Sequence, residues 1–283
     1  MKRRLFMRWP GFHYKAVTLS YDDGCIYDRT VIEIMQKYGL KGTFNINSCV
    51  FHDNRTNKLT KEELVELYTS TGNEVAVHGY RHTSLPEMPR ALATYDVLHD
   101  REEIEAAFGQ IVSGMAYANG VFSDEVVEIL KKCGITYSRT TVSTHSLNVT
   151  EDFLRWHPTC HHDDPELMEL ARKLIEPAEP AYKWARFPRL LYVWGHSYEF
   201  NGNNNWDVLE KLGEYVGNRD DVWYATNGEI CTYVKAYDAL QFSVSGKMIH
   251  NPSAIDVYID YYGNKYTIPA GETIQVECPE SYV

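Results

Sequence analysis

Apolar and polar positions switch repeatedly between a period of two and a period near ~3.6, so strand-like and helix-like segments alternate along the chain. Residues 16–21 (Ala-Val-Thr-Leu-Ser-Tyr) form a short β-prone run that ends in Asp22-Asp23-Gly24. Residues 28–38 then carry a helical pattern closed by Gly39, and residues 42–47 read as a second strand. Thr60 followed by Glu63 makes a capping box, opening a helix that stops at Gly72. Strand 74–78, helix 92–108 and strand 111–117 follow. Helix 123–133 has Asp124 and Glu125 in its first turn and Gly134 after its last, which suits the helix dipole and a left-handed end. Strands at 137–141, 190–194 and 222–225 complete the series with helices at 206–216 and 228–237 and one starting at Asp164-Pro165.

About seven β-then-α units result, which predicts a deformed (β/α)7 TIM-like parallel barrel, with a doubly wound open sheet as the alternative. No Gly-x-Gly-x-x-Gly follows any strand, so a dinucleotide fold has no support. After Asp238 the texture changes. Runs 241–245, 254–261, 265–268 and 273–277 alternate, separated by Asn251-Pro252, Gly263-Asn264 and Pro269-Ala270-Gly271. The expected division is a barrel over 1–237 and a small, antiparallel, β-rich C-terminal appendage over 238–283.

Composition narrows the function classes. In a chain of 283 residues, 44% hydrophobic and 24% charged residues exclude a disordered or fibrous protein. A formal net charge of -11 argues against nucleic acid as a partner, because that binding needs clustered cations. No stretch approaches the ~18 apolar residues that would span a bilayer, so membrane insertion is not expected. Residues 1–10 are basic without an apolar run of signal-peptide length, which makes a cytoplasmic location the expectation, or a secreted one if a leader was removed. The six cysteines form no Cys-x-x-Cys pair, which disfavours both a disulfide scaffold and a cysteine zinc site.

Parallel α/β folds gather chemistry where strands end, and three predicted strand ends are rich in functional groups. They supply Asp22 with Asp23, His78 with His82, and His196. Two imidazoles and a carboxylate form a three-ligand set for a divalent cation with positions left open. Each fragment alone has a plainer reading, since Asp-Asp-Gly is a common turn and histidines four apart arise by chance. Trp156 is a candidate sugar platform. His157, His161 and His162 beside it read as a polar loop, with a groove edge or a second metal as alternatives. Glu199 either orients a neighbour or leads a packed helix.

Tyr21-Asp22-Asp23-Gly24 resembles the Thr/Ser-Phe-Asp-Asp-Gly motif of the polysaccharide deacetylases, the NodB-homology family of carbohydrate esterases. His78-Gly79-Tyr80-Arg81-His82 resembles that family's His-Ser/Thr-x-x-His motif, with Gly at the hydroxyl position. Trp194-Gly195-His196 stands where the late Leu-x-Leu-His motif belongs, and the resemblance spans residues 14 to 236. It implies a distorted (β/α)7 barrel and a metal-dependent hydrolase that removes acetyl groups from an N- or O-acetylated carbohydrate. Carried over, Asp23, His78 and His82 would be the metal ligands, Asp22 the general base and His196 the general acid. Zinc is the first expectation for the metal, with cobalt, nickel and manganese open. A backbone N–H near Asn119 would hold the oxyanion, with Tyr117 and Trp156 as further substrate contacts.

The third motif departs from the family pattern, often Arg-x-Pro-Tyr-Gly. Here Met115-Ala116-Tyr117-Ala118-Asn119-Gly120 lacks the arginine that orients the base. Arg139, from the next strand, is expected to clamp Asp22 in bidentate fashion instead, with Arg81 as the other candidate. The same departure leaves open a catalytically inactive carbohydrate-binding barrel, and a hydrolase of some other amide.

Overall fold

The computed structural model describes residues 5–52, 58–176 and 187–278. The chain opens with β1 (Leu5–Arg8) and β2 (Lys15–Asp22), and all eight residues of β2 are buried. Burial on both faces explains why β2 lacks a strict apolar–polar alternation. Two helix–strand units follow, α1 (Asp28–Lys37) with β3 (Gly42–Ile46) and α2 (Lys61–Thr69) with β4 (Glu74–Val77). Thr60 caps α2 through the reciprocal bonds with Glu63 that the spacing predicts. Next come α3 (Arg90–Phe108), β5 (Gly114–Ala116), α4 (Asp124–Lys132) and β6 (Tyr137–Arg139). Then follow β7 (Cys160–His161), α5 (Leu167–Ile175), β8 (Arg189–Gly195), α6 (Ser197–Asn203), α7 (Asp207–Val216), β9 (Val222–Tyr224) and α8 (Asn227–Asp238).

The sheet order is β6-β5-β4-β3-β2-β8-β7, and every pairing in it is parallel. The segment leading into β7 closes the ring. Trp156 N–H donates to Ser138 (3.0 Å) and Thr140 N–H donates to Trp156 (2.9 Å), while Cys160 and His161 pair with β8. The result is the deformed parallel barrel that the alternation predicts. β9 pairs with Lys15–Val17 of β2, ahead of the Leu19–Asp22 stretch that pairs with β3. The helices cover the outside with apolar stripes such as Val31, Ile32, Ile34 and Met35 of α1, all buried. Each such side chain stabilises the fold by roughly 1.5–3 kcal/mol before entropy is counted.

β10 (Gln241–Phe242), β11 (Met248–His250), β12 (Val257–Tyr261), β13 (Asn264–Ile268) and β14 (Thr273–Gln275) build two antiparallel sheets. One has the order β10-β11-β14 and the other β1-β12-β13. The N-terminal residues do not simply lead into the barrel: Leu5 to Arg8 pair with Tyr261 to Tyr258, and Arg8 bridges to Asp260 at 3.1 Å. Among the described residues, no helix is long and apolar enough to cross a membrane.

Candidate active site

Parallel strands bring their C-terminal ends to one rim, and that rim collects the chemistry. Asp22 ends β2, His78 follows β4, Arg139 ends β6 and His196 follows β8. Asp23 and His82 adopt left-handed backbone angles, φ 78° and 55°, which residues other than glycine enter rarely and at a cost. Asp23 is held there from both sides. Its N–H donates to Asn45 (3.0 Å) and its carbonyl accepts from Lys58 Nζ (2.8 Å).

The His78–His82 loop is braced from α3 by two carboxylates one turn apart. Asp100 accepts from the backbone N–H groups of His78 (3.0 Å) and Ser48 (2.6 Å), and Asp96 accepts from that of Tyr80 (3.0 Å). Burial pushes the Asp100 carboxyl up to about 7, with these donors opposing the rise. Gly79 has φ 79°, and a Cβ there would lie 3.0 Å from Asp96 Oδ2, so the hydroxyl residue of the resembled motif would be strained in this turn and would press on Asp96.

His78 Nδ1 lies 2.8 Å from the Ala116 carbonyl, which makes Nδ1 the donor and leaves the Nε2 lone pair facing the rim. That buried Nε2 has no hydrogen-bond partner. It sits 3.7 Å from Asp23 Oδ1, and His82 Nε2 lies at the same distance from that oxygen. Ligand atoms of Asp23, His78 and His82 all fall within 4.8 Å of one another. An orphaned imidazole nitrogen, a second imidazole and a carboxylate so placed fit a divalent cation.

Asp22 is 2% exposed and Arg139 0%. Arg139 Nη2 donates to Asp22 Oδ2, and Asn45 Nδ2 donates to Oδ1 at 2.8 Å. Burial alone would raise the Asp22 pKa, but the Arg139 guanidinium, with His78 and His196, outweighs it and holds the carboxyl below its usual range. The contact is single rather than the expected fork. The guanidinium also lies over the Trp194 ring, Cζ 4.5 Å from the ring centre. Arg81, exposed and over the Tyr80 ring, takes no part.

His196 Nε2 faces Asp22 Oδ2 at 3.9 Å. Behind it, Glu199 accepts from the His196 backbone N–H (3.0 Å) and lies 3.2 Å from His196 Nδ1 and 3.1 Å from His161 Nε2. Burial lowers the His196 pKa, but the Glu199 carboxylate 3.2 Å from its Nδ1 and the charges of Asp22 and Asp23 turn the net shift upward. His161 Nδ1 accepts from the Asp163 N–H at 3.2 Å, so its Nε2 carries the proton given to Glu199. His162 is buried beside them, stacked on Phe200 with ring centres 4.0 Å apart. A Cβ on Gly195 would stand 1.9 Å from His162 Nδ1, so only glycine admits that ring. Glu199 is the residue whose role sequence reasoning left undecided; its place three residues after His196, at the third position of α6, was the available signal.

Two expected substrate contacts lie elsewhere. Trp156 is 2% exposed and packed edge-on against Tyr137, Phe153 and Tyr192, so it is core and no platform. Tyr117 is buried, its hydroxyl donating to Leu154 (2.7 Å) and its N–H to Arg139 (2.9 Å), which leaves no donor for an oxyanion. Asn119 stays at the rim, exposed, with φ 57° and its amide 3.3 Å from Ser84 Oγ. His157 is drawn away to Thr140 Oγ1 at 2.6 Å.

Residues 11–138 match the family model described as polysaccharide deacetylase. The similarity to that family thus lies in the first half of the chain, across the strands that carry Asp22, Asp23, His78 and His82. No curated protein sequence matches the chain. Among solved structures, the barrel resembles a Mycobacterium smegmatis protein described as a polysaccharide deacetylase, at 17% identity and TM-score 0.59 over 81% of this chain and 93% of that one. It also resembles a variant of the Bacillus anthracis CE4 family pseudoenzyme BA3943, at 19% identity and TM-score 0.52 over 80% and 70% of the two chains. At these identities the likeness is one of fold. The match to the Streptococcus pyogenes deacetylase PplD has 20% identity and TM-score 0.42, covers 44% of this chain and spans only 55% of that protein's length.

Proposed function

We propose that this protein removes acetyl groups from an N- or O-acetylated carbohydrate with one divalent cation, zinc first, held by Asp23, His78 and His82. When bound, such a cation supplies a Lewis acid and makes water acidic enough to serve as nucleophile near neutral pH. Asp22 would serve as the general base toward the attacking water. It remains ionised for the task because Arg139 pairs with it, and Asn45 fixes the other oxygen, so its direction is set. His196 gives a proton to the departing amine or alkoxide from Nε2, the nitrogen that faces Asp22. Its raised pKa keeps it charged at the pH where Asp22 is anionic, the division of labour an acid–base pair needs. Asn119, at the rim, is the proposed contact for the acetyl group.

The observation that carries this reading is the Arg139–Asp22 ion pair. It answers the missing arginine of the third motif, on which the reading as an inactive binding barrel rested. The test is acetate release from N-acetylated chitooligosaccharides and acetylated xylan, with the cation supplied and then removed by chelation. Release that depends on the cation supports the proposal. No release from any acetylated sugar by fully loaded protein returns the barrel to the inactive class.

A further inference from the structure

A second group of ligating side chains lies at the end of β7. His161, His162 and Asp163 are consecutive, and their ligand atoms all fall within 4.8 Å of one another. None of the three takes part in the reaction proposed above. His162 is the unusual member. It is 1% exposed, and neither ring nitrogen has a hydrogen-bond partner. Buried polar groups are normally satisfied, so an orphaned imidazole needs a reason. Its Nε2 stands 3.6 Å from Asp163 Oδ1. Two ligands of one tetrahedral zinc ion lie ~3.4 Å apart, given bonds of about 2.1 Å. Burial lowers the His162 pKa, so the ring is neutral at pH 7 and keeps a lone pair to offer.

The other two residues have the outer support that metal ligands need. His161 gives its Nε2 proton to Glu199 at 3.1 Å, which leaves the lone pair on Nδ1. That nitrogen faces Asp163, whose backbone N–H lies 3.2 Å away. A carboxylate behind one nitrogen and a lone pair on the other is the usual setting of a metal-bound imidazole. The Asp163 carboxylate is steadied by two amides. Asn205 Nδ2 donates to Oδ1 at 2.8 Å and Asn203 Nδ2 donates to Oδ2 at 3.0 Å. Each oxygen retains a second lone pair. His145, the neighbouring exposed histidine, differs in that its Nε2 is already paired with Asp164 at 2.7 Å.

We propose that His161, His162 and Asp163 form a second divalent-cation site, separate from the one at Asp23, His78 and His82. Two imidazoles and a carboxylate suit zinc here as they do there. The second site is the weaker, because its cation must displace the Asp163 N–H from His161 and share Asp163 with two amides. It fills from zinc in solution and empties when unbound zinc is washed away. A cation there ties the end of β7 to α6, with Glu199 behind one ligand and Asn203 behind another. Its binding does not depend on which bond the barrel hydrolyses.

Calorimetric titration of chelator-treated protein with zinc is the experiment. The parent should take up two equivalents in distinguishable steps. The His78→Ala, His82→Ala variant should take up one, with the weaker affinity. In that background, Asp163→Asn should weaken the remaining binding at least ~10-fold. His162→Phe, which keeps a ring on Phe200 but offers no lone pair, should do the same. Asp163 is exposed, so its replacement decides the matter even if the buried His162→Phe variant fails to fold. His145→Ala should change nothing. A single equivalent bound by the parent would overturn the proposal. So would a second equivalent that survives Asp163→Asn, or one that disappears with His145→Ala. Two equivalents of the expected kind with no acetate released by the parent would leave the second site standing and sink the deacetylase reading instead.

Discussion

Replacing Arg139 with methionine removes a charge from the centre of the barrel while keeping most of the side chain's volume. The side chains of Asp22 and Arg139 are 3% and 0% exposed, so water cannot take over the lost partner. Deleting one member of a buried ion pair costs about 3–5 kcal/mol, chiefly because the other charge is left without compensation. Asn45 still donates to Asp22 at 2.8 Å, which places the expected loss near the lower end, about 3 kcal/mol. The pH dependence has a definite sign. In the parent, the Asp22 pKa is depressed on folding, so its stabilisation is fully present above the unfolded value of ~3.9 and fades as pH falls through the folded one. In the variant, burial acts unopposed by Arg139 and raises the folded pKa, so the penalty is greatest at neutral pH and shrinks under acid. Urea unfolding of chelator-treated protein at pH 7 and pH 4.5 measures both. Adding Asp22→Asn to Arg139→Met should recover at least half of the loss at pH 7. A loss below about 1 kcal/mol, or one equal at both pH values, would refute the argument.

The remaining predictions concern the rim and its supports. The double variant His78→Ala, His82→Ala should lose the bound cation in elemental analysis of protein loaded with zinc, and stoichiometric retention would remove these residues as ligands. His196→Ala should lower turnover by ~100- to 10,000-fold with cation content unchanged, and activity within twofold of the parent would exclude it as the acid. Glu199→Gln withdraws a group that raises the His196 pKa, so the alkaline limb of the rate profile should move to lower pH; an unmoved limb would show that Glu199 does not act through His196. Trp156→Ala should destabilise the protein by roughly 3–5 kcal/mol in urea unfolding while acetate release per folded chain stays near the parent's. A large loss of binding at unchanged stability would reinstate Trp156 as a platform.

Strand ends were legible because the alternation of apolar runs and helical patterns is strong here, and chemistry placed at such ends in a parallel sheet must share a rim. Asp22, Asp23, His78, His82 and His196 meet there for that reason, and Arg139 reaches Asp22 because β6 ends at the same level. What stayed hidden depends on contacts across the sequence. Two-residue β7 has too little pattern to register, yet together with Trp156 it closes the barrel. Trp156 and Tyr117 carry polar groups that suit a sugar equally well, and only packing shows that their faces are covered. β1 finds its partner about 250 residues away in β12, where no local signal could point. Asp96 and Asp100 carry no local signal in helix 92–108, and their service to the His78 loop emerges only when α3 lies against β4.

The most direct test compares acetate released from acetylated oligosaccharides by the parent and by Asp22→Asn at equal, verified cation content. Asparagine matches aspartate in shape and can still accept from Arg139, but it cannot take the proton. The account predicts measurable release by the parent and a drop of at least ~100-fold in the variant. Equal rates in the two proteins, or none in the parent, would contradict it.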